Sequence, residues 1–282
     1  MRRVIAATAT ATAAAAATAS FTSASYVDNA KQVRQQGHTT ITNLLTEKER
    51  AVLLRHTRRR PDLNSLELDA LPPTAQPTKG RLHCELTSTF HRFWTRSDDK
   101  TRSEIKNAVL SVEGKTVEFA KIFFGQERFR LTQLQLLDSE ANSAAQFWHV
   151  DNTTEGLTFV IALEDITLRD GPTELLLGTQ HVHNPRDGSF SLSNAYNMLQ
   201  AATTEHDRTV TWQRAVVDKN GAFIFDSRIW HRGGANISKK SRPVMIVRYD
   251  LSNFSPPGMG VVGTSILRSV GRLLESSIVS KK

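Results

Sequence analysis

A chain of 282 residues, 39% of them hydrophobic, carries apolar material for one large domain or two small ones. Its single cysteine, Cys84, excludes an internal disulfide and fits a reducing compartment. The net charge of +8 is dispersed apart from Arg58-Arg59-Arg60, with no interleaved basic and aromatic stripe, so an anionic small substrate suits it better than nucleic acid.

Residues 1–25 are a leader of different texture: early arginines, then Ala, Thr and Ser, with no acid before Asp28. A mitochondrial or plastid transit peptide, a weak signal peptide cut near Ala17-Thr18-Ala19 and a low-complexity tail all fit this composition. No run of about 18 apolar residues exists, so no transmembrane segment is expected. The location stays open: intracellular, mitochondrial or plastid if residues 1–25 are a transit peptide, otherwise cytoplasmic. The main folded domain is expected over residues 26–255.

In chain order, Thr39-Thr40-Ile41 reads as a strand after Gly37. Thr46 opens a helix through a capping box with Glu49, and Val52, Leu53 and Leu54 give it an apolar side. Residues 61–80 hold Pro61, Pro72, Pro73 and Pro77 and read as a loop. Ser97-Asp98-Asp99 caps a second helix carrying Ile105, Val109 and Val112, and a third short helix is expected from Lys115 to Phe124, stopping at Gly125. Strands follow. Phe129, Leu131, Gln133 and Gln135 share one parity; Leu134 and Leu136 share the other. Leu157 to Leu163 is a continuous apolar run, as in a buried strand. Glu174–Leu177, Gly221–Phe225 and Val244–Tyr249 are further strands, punctuated by turns at Asp170-Gly171-Pro172 and Asn220-Gly221. Helices followed by many short strands imply an α+β, mainly β chain with a β-sandwich or double-sheet jelly roll as its core. Residues 256–282 are expected to be a basic helix or tail, a helix over 261–278 placing Leu267, Val270, Leu273 and Leu274 on one side for packing on that core.

The chemistry-bearing residues are His149, Asp151 and His231. Two residues apart on a strand, His149 and Asp151 project from one face. His231 follows the apolar strand 221–225 and precedes Gly233-Gly234, where glycines permit close approach. Two imidazoles and a carboxylate match the facial triad of non-haem iron oxygenases, which leaves the metal's other positions open. A His-x-Asp pair is common by chance, and His83-Cys84-Glu85 is a rival. Arg242, eleven residues after His231, can hold a carboxylate by two parallel bonds; Thr173 can add a hydroxyl and Gln146 an amide.

These segments resemble the phytanoyl-CoA dioxygenase family of Fe(II)- and 2-oxoglutarate-dependent oxygenases. The likeness runs over about residues 30–250: Gln35-Gln36-Gly37-His38-Thr39-Thr40-Ile41, Trp148-His149-Val150-Asp151, Asp170-Gly171-Pro172-Thr173 to Gly178-Thr179-Gln180-His181, and Phe225-Asp226-Ser227-Arg228-Ile229-Trp230-His231 through Asn236-Ile237-Ser238 to Arg242. The resemblance implies a double-stranded β-helix (cupin-like) with N-terminal supporting helices. It implies Fe(II) on His149, Asp151 and His231, and 2-oxoglutarate on Arg242 with Thr173 and Gln146 as helpers. It also implies O2 as oxidant and ascorbate as a reductant. Gln133 and Gln135 are candidates for the substrate wall. A carboxylate at 151, where related halogenases keep a small residue, favours hydroxylation of a small-molecule substrate, anionic or lipid-like. Two departures are the short stretch from Asp151 to Gly171 and Leu177 in place of a proline. A non-catalytic jelly-roll binding module and a metal oxygenase without 2-oxoglutarate are the competing readings; the sequence leaves oligomeric state open.

Overall fold

The computed structural model of the chain describes residues 23–58, 81–85, 99–146, 148–181 and 211–251. Helix α1 (Ser23–Gln36) precedes the first element expected from the sequence; Tyr26, Ala30 and Val33 recur at helical spacing and are buried. It ends at Gly37, whose φ of 83° closes the last turn onto the Val33 carbonyl at 2.7 Å. Strand β1 (His38–Ile41) follows directly. Helix α2 (Glu47–Arg58) opens on the expected capping box: the Thr46 N–H donates to the Glu49 carboxylate at 2.7 Å, and the Glu49 N–H donates to the Thr46 hydroxyl at 3.2 Å.

Where the sequence suggests two helices, the structure has one, α3 (Asp99–Phe124, 26 residues). Gly114 does not break it, because its Cα faces open space and a glycine inside a helix costs only about 1 kcal/mol relative to alanine. Ile105, Val109, Val112, Phe119 and Phe123 run through it as one buried stripe, and Gly125 (φ 64°) ends it as expected. The expected cap at Ser97 and Asp98, the proline-rich loop, residues 1–22 of the leader and the C-terminal basic segment lie outside the described residues; the last three leader residues, Ser23 to Ser25, already belong to α1.

The strands are β2 (Arg81–Glu85), β3 (Phe129–Ser139), β4 (Gly156–Ala162), β5 (Thr173–Leu177), β6 (Thr211–Arg214), β7 (Ala222–Asp226), β8 (Trp230–Gly233) and β9 (Arg242–Leu251). They form two antiparallel sheets, a six-stranded one ordered β1-β7-β4-β9-β3-β2 and a three-stranded one ordered β6-β5-β8. This is the double-stranded β-helix with supporting helices. Strands β2, β6 and β8 were not expected: their sequences, Arg81–Glu85, Thr211–Arg214 and Trp230–Gly233, interleave charged and polar residues without an apolar run.

The two-residue strand period divides the large sheet into a helix side and an inner side. Leu136, Phe159, Ile161, Ile224, Val247 and Tyr249 pack with the helices, where Phe119 meets Phe159 edge-on at 5.5 Å. Leu137, Val160, Phe223, Phe225, Val244 and Ile246 face inward, against Leu175 and Ile229. The expected single parity of Phe129, Leu131, Gln133 and Gln135 is broken. A register shift against β9 between Leu131 and Gln133 is a β-bulge, so Phe129 and Leu131 stay with the helix-side core while Gln133 and Gln135 turn inward.

The Asp170-Gly171-Pro172 turn is held by Thr167, whose hydroxyl and N–H both donate to Asp170 at 2.6 and 2.8 Å. Gly171 has φ 70°, and a Cβ there would meet the Gly234 carbonyl oxygen at 2.4 Å. The Gly234 N–H donates to the Pro172 carbonyl at 2.9 Å, so two segments of the chain cross here at touching distance and set the start of β5 against the end of β8. Gly171→Ala is therefore expected to cost at least about 2 kcal/mol, from left-handed strain plus the backbone collision. Urea unfolding measures it; an unchanged midpoint and slope would contradict this account of the turn.

Candidate metal centre

His231 lies on β8, and Gln146 and His149 bond to that strand's edge. His149 and His231 face each other across an antiparallel bridge, each N–H donating to the other's carbonyl, at 3.0 and 2.8 Å. Directly opposed residues in such a pair project to the same side. The two imidazole rings accordingly sit 4.4 Å apart between centroids. Before the bridge, Gln146 extends the same alignment: its N–H donates to the Gly233 carbonyl and its side-chain oxygen accepts from the Gly233 N–H, both at 2.9 Å.

His149 and Asp151 do not share a regular strand, as their spacing suggested. The ladder ends at the bridge, and the N–H groups of Asp151 and Asn152 both donate to the Ser227 carbonyl, at 3.0 and 3.1 Å. That bend delivers the carboxylate to the imidazoles. One donor atom from each of His149, Asp151 and His231 lies within 4.8 Å of the others, and Asp151 Oδ1 is 3.6 Å from His231 Nε2. Donors each about 2.1 Å from one ion lie about 3–4 Å apart, so the set fits a shared divalent cation.

The electrostatics agree. Burial drives the His231 imidazole down to about 4 despite the opposing Asp151 charge, so the ring is neutral at neutral pH. Its Nδ1 contacts the Ile229 carbonyl at 2.9 Å, which selects the tautomer with a free lone pair on Nε2, toward Asp151. Burial opposes ionisation of Asp151, yet His231, Arg248, His149 and the Thr158 hydroxyl together hold its carboxyl down to about 2. Thr158 donates to Asp151 Oδ2 at 2.7 Å, and Ser227 backs Thr158 at 3.0 Å.

A cavity of about 240 Å³ opens on this cluster. His149, Asp151, His231, Gln146, Thr173, Arg242, Gln133 and Gln135 all line it, so the candidate metal ligands, co-substrate residues and substrate-wall residues meet at one cavity. Arg242 is only 3% exposed and donates to Ser139 Oγ at 3.0 Å from the first position of β9. The remaining wall is largely apolar: Leu137, Val160, Val244, Ile246 and Phe225, whose ring lies 4.6 Å from that of His231.

Thr158 and Arg248 are site residues that pattern reading missed. Thr158 is the polar residue inside the apolar run 157–163, and Arg248 is a charge inside a buried strand; both anomalies are visible in the sequence. Trp148 points away from the cavity, edge-on to Trp212 at 5.1 Å, with the Arg232 guanidinium 4.7 Å over its ring. Gly233 lines the cavity, whereas Gly234 serves the crossing with Pro172. Leu177, where a proline was expected, packs on the inner core. Phe147 lies outside the described residues, and for the rival His83 and Glu85 only the backbone of β2 is described. Among the described residues, no helix is long and apolar enough to cross a membrane.

The family model for phytanoyl-CoA dioxygenase matches residues 33–244. Several solved structures share the fold at 17% sequence identity. The epimerase SnoN, in complex with Fe3+, α-ketoglutarate and nogalamycin RO, aligns over 85% of this chain and 89% of its own with a TM-score of 0.56. The α-ketoglutarate-dependent carbocyclase SnoK from nogalamycin biosynthesis aligns over 79% and 82% with a TM-score of 0.52. AviO1 from Streptomyces viridochromogenes Tue57 aligns over 84% and 99% with a TM-score of 0.56. No curated protein shows significant sequence similarity to the chain.

The depressed imidazoles set a pH dependence for the metal-free protein. Burial holds both His231 and His56 at about 4, while an unfolded chain protonates them near the ordinary 6.5. Between those values the unfolded state binds more protons, so stability is full above about pH 6.5 and falls as pH drops toward 4, by at most on the order of 3 kcal/mol per imidazole. Melting temperature in the presence of a chelator should decline across this window; a flat profile would contradict the buried, neutral assignment.

Proposed function

The chain belongs to the phytanoyl-CoA dioxygenase family, and on that premise we propose that it is an Fe(II)- and 2-oxoglutarate-dependent dioxygenase that hydroxylates a small organic or lipid-like substrate. The observation that carries this reading is the convergence of His149, Asp151 and His231, with donor atoms within 4.8 Å, on a cavity that Arg242 also lines.

His149, Asp151 and His231 would hold iron by one face and leave its remaining positions for co-substrate and oxygen. When bound, the iron supplies the coupled oxidation by O2 of 2-oxoglutarate, to succinate and CO2, and of a substrate C–H bond. The protein's part is binding and placement. The Arg242 guanidinium pairs with the distal carboxylate of 2-oxoglutarate, a charge-assisted bond in a site screened from water. The Thr173 hydroxyl and the Gln146 amide, whose oxygen is already engaged by Gly233, add hydrogen bonds to the same molecule. Leu137, Val160, Val244, Ile246 and Phe225 exclude water from the reacting centre. Gln133 and Gln135, turned inward by the bulge, hydrogen-bond the substrate at the cavity wall. A carboxylate at position 151 fills the place a halide would need, which favours hydroxylation over halogenation.

His149→Ala and Asp151→Ala are expected to abolish iron-dependent succinate release, measured with Fe(II), 2-oxoglutarate and a metabolite extract, while circular dichroism stays that of the parent. Turnover retained in either variant would remove the cluster from the chemistry. Arg242→Ala should raise the KM for 2-oxoglutarate at least about 30-fold, because losing a buried ionic partner is worth about 2–5 kcal/mol. A KM unchanged from the parent would take Arg242 out of the co-substrate site.

A further inference from the structure

Arg248 belongs neither to the predicted ligand set nor to the cavity wall, yet it touches the centre. On β9 it follows Arg242, Val244 and Ile246 on the inward parity, and its Nη1 lies 3.4 Å from Asp151 Oδ1. That is the oxygen nearest His231. The guanidinium is anchored on its other side: Nε is 3.2 Å from Asp250 Oδ2 and 3.3 Å from the Thr132 hydroxyl. Asp250 is fully buried, accepts from Asn152 Nδ2 at 2.7 Å and also bonds Thr132. Asn152 is the next residue after Asp151, so the contacts close a ring: Asp151, Arg248, Asp250, Asn152 and back along the backbone. Thr132 enters that ring because it is the extra residue of the β3 bulge.

The ring constrains the carboxylate from both oxygens. Thr158 takes Oδ2 by its hydroxyl, and Arg248 lies against Oδ1. An unclamped aspartate rotates about its side-chain torsions and can offer both oxygens to a cation. With Oδ2 committed, Oδ1 is the oxygen directed at His231. We propose that Arg248 is a positioning residue that, with Thr158, holds Asp151 as a one-oxygen donor and so keeps coordination positions free for the co-substrate and oxygen. The proposal rests on the reading of Asp151 as an iron ligand given above.

Anaerobic Fe(II) titration of the full chain tests it, comparing the parent with Arg248→Lys, Arg248→Gln and Asp250→Asn. Groups that hold a metal ligand in place are typically worth 10–100-fold in metal affinity. Arg248→Gln should therefore weaken Fe(II) binding about tenfold or more, and Arg248→Lys, which restores the charge, should recover a large part of that loss. Asp250→Asn keeps Arg248 but loosens its anchor and should weaken binding several-fold; it carries the test if Arg248→Gln fails to fold. The visible absorption that develops when 2-oxoglutarate chelates protein-bound Fe(II) should be reduced or shifted in Arg248→Gln at saturating iron. Parent-like affinity and absorption in folded Arg248→Gln, or parent-like affinity in Asp250→Asn, would overturn the positioning role. A parent protein that binds no Fe(II) would instead overturn the ligand assignment beneath it.

Discussion

The candidate centre depends on one backbone interaction, the reciprocal hydrogen bonding of His149 with His231. Residues 82 positions apart become direct cross-strand neighbours there, and the geometry of an antiparallel pair obliges their side chains to share a side. Everything else at the centre is built around that pair. Ser227 turns the chain after His149 so that Asp151 swings toward the rings, the Ile229 carbonyl fixes the His231 tautomer, and Gln146 extends the alignment to Gly233. The glycine crossing at Gly171 and Gly234 sets the same β8 against β5 and so places Thr173 at the cavity.

The large sheet separates stability from chemistry by parity. Its outer positions form a continuous apolar layer with α1, α2 and α3, and that layer supplies most of the buried aromatic surface. Its inner positions are freed for a mixed lining, in which Gln133, Gln135, Thr158 and Arg242 stand among Leu137, Val160, Val244 and Ile246. Buried polar groups are tolerated there because they are bonded to one another: Thr158 to Asp151 and Ser227, Arg242 to Ser139, Arg248 to Asp250. A charged group in such surroundings is costly unless partnered, so each partnership also fixes a side chain in position.

Much of this was legible in residue order. The Thr46–Glu49 box, the glycines at 37, 125 and 171, and the apolar runs of β4, β7 and β9 announce themselves locally, because capping, left-handed turns and period-two burial are local physics. The segments around His149, Asp151, His231 and Arg242 were legible as a spaced set. What escaped reading was tertiary. The bulge at Thr132 exists only against the register of β9, so the true parity of Phe129 and Leu131 could not be taken from β3 alone. The separate helix expected from Lys115 merges with the one before it, because the buried stripe from Ile105 to Phe123 runs through without a break. Arg248 reads as a strand irregularity until Asp151 is found beside it. Short β8 gains its identity from its partners, not from its own four residues.

Anomalous diffraction at the iron edge, from crystals grown anaerobically with Fe(II) and 2-oxoglutarate, measures the central claim most directly. The account predicts a single ion bonded to a ring nitrogen of His149, Nε2 of His231 and one oxygen of Asp151, with the co-substrate's far carboxylate on Arg242. An ion bound elsewhere, or a co-substrate oriented away from Arg242, would contradict it.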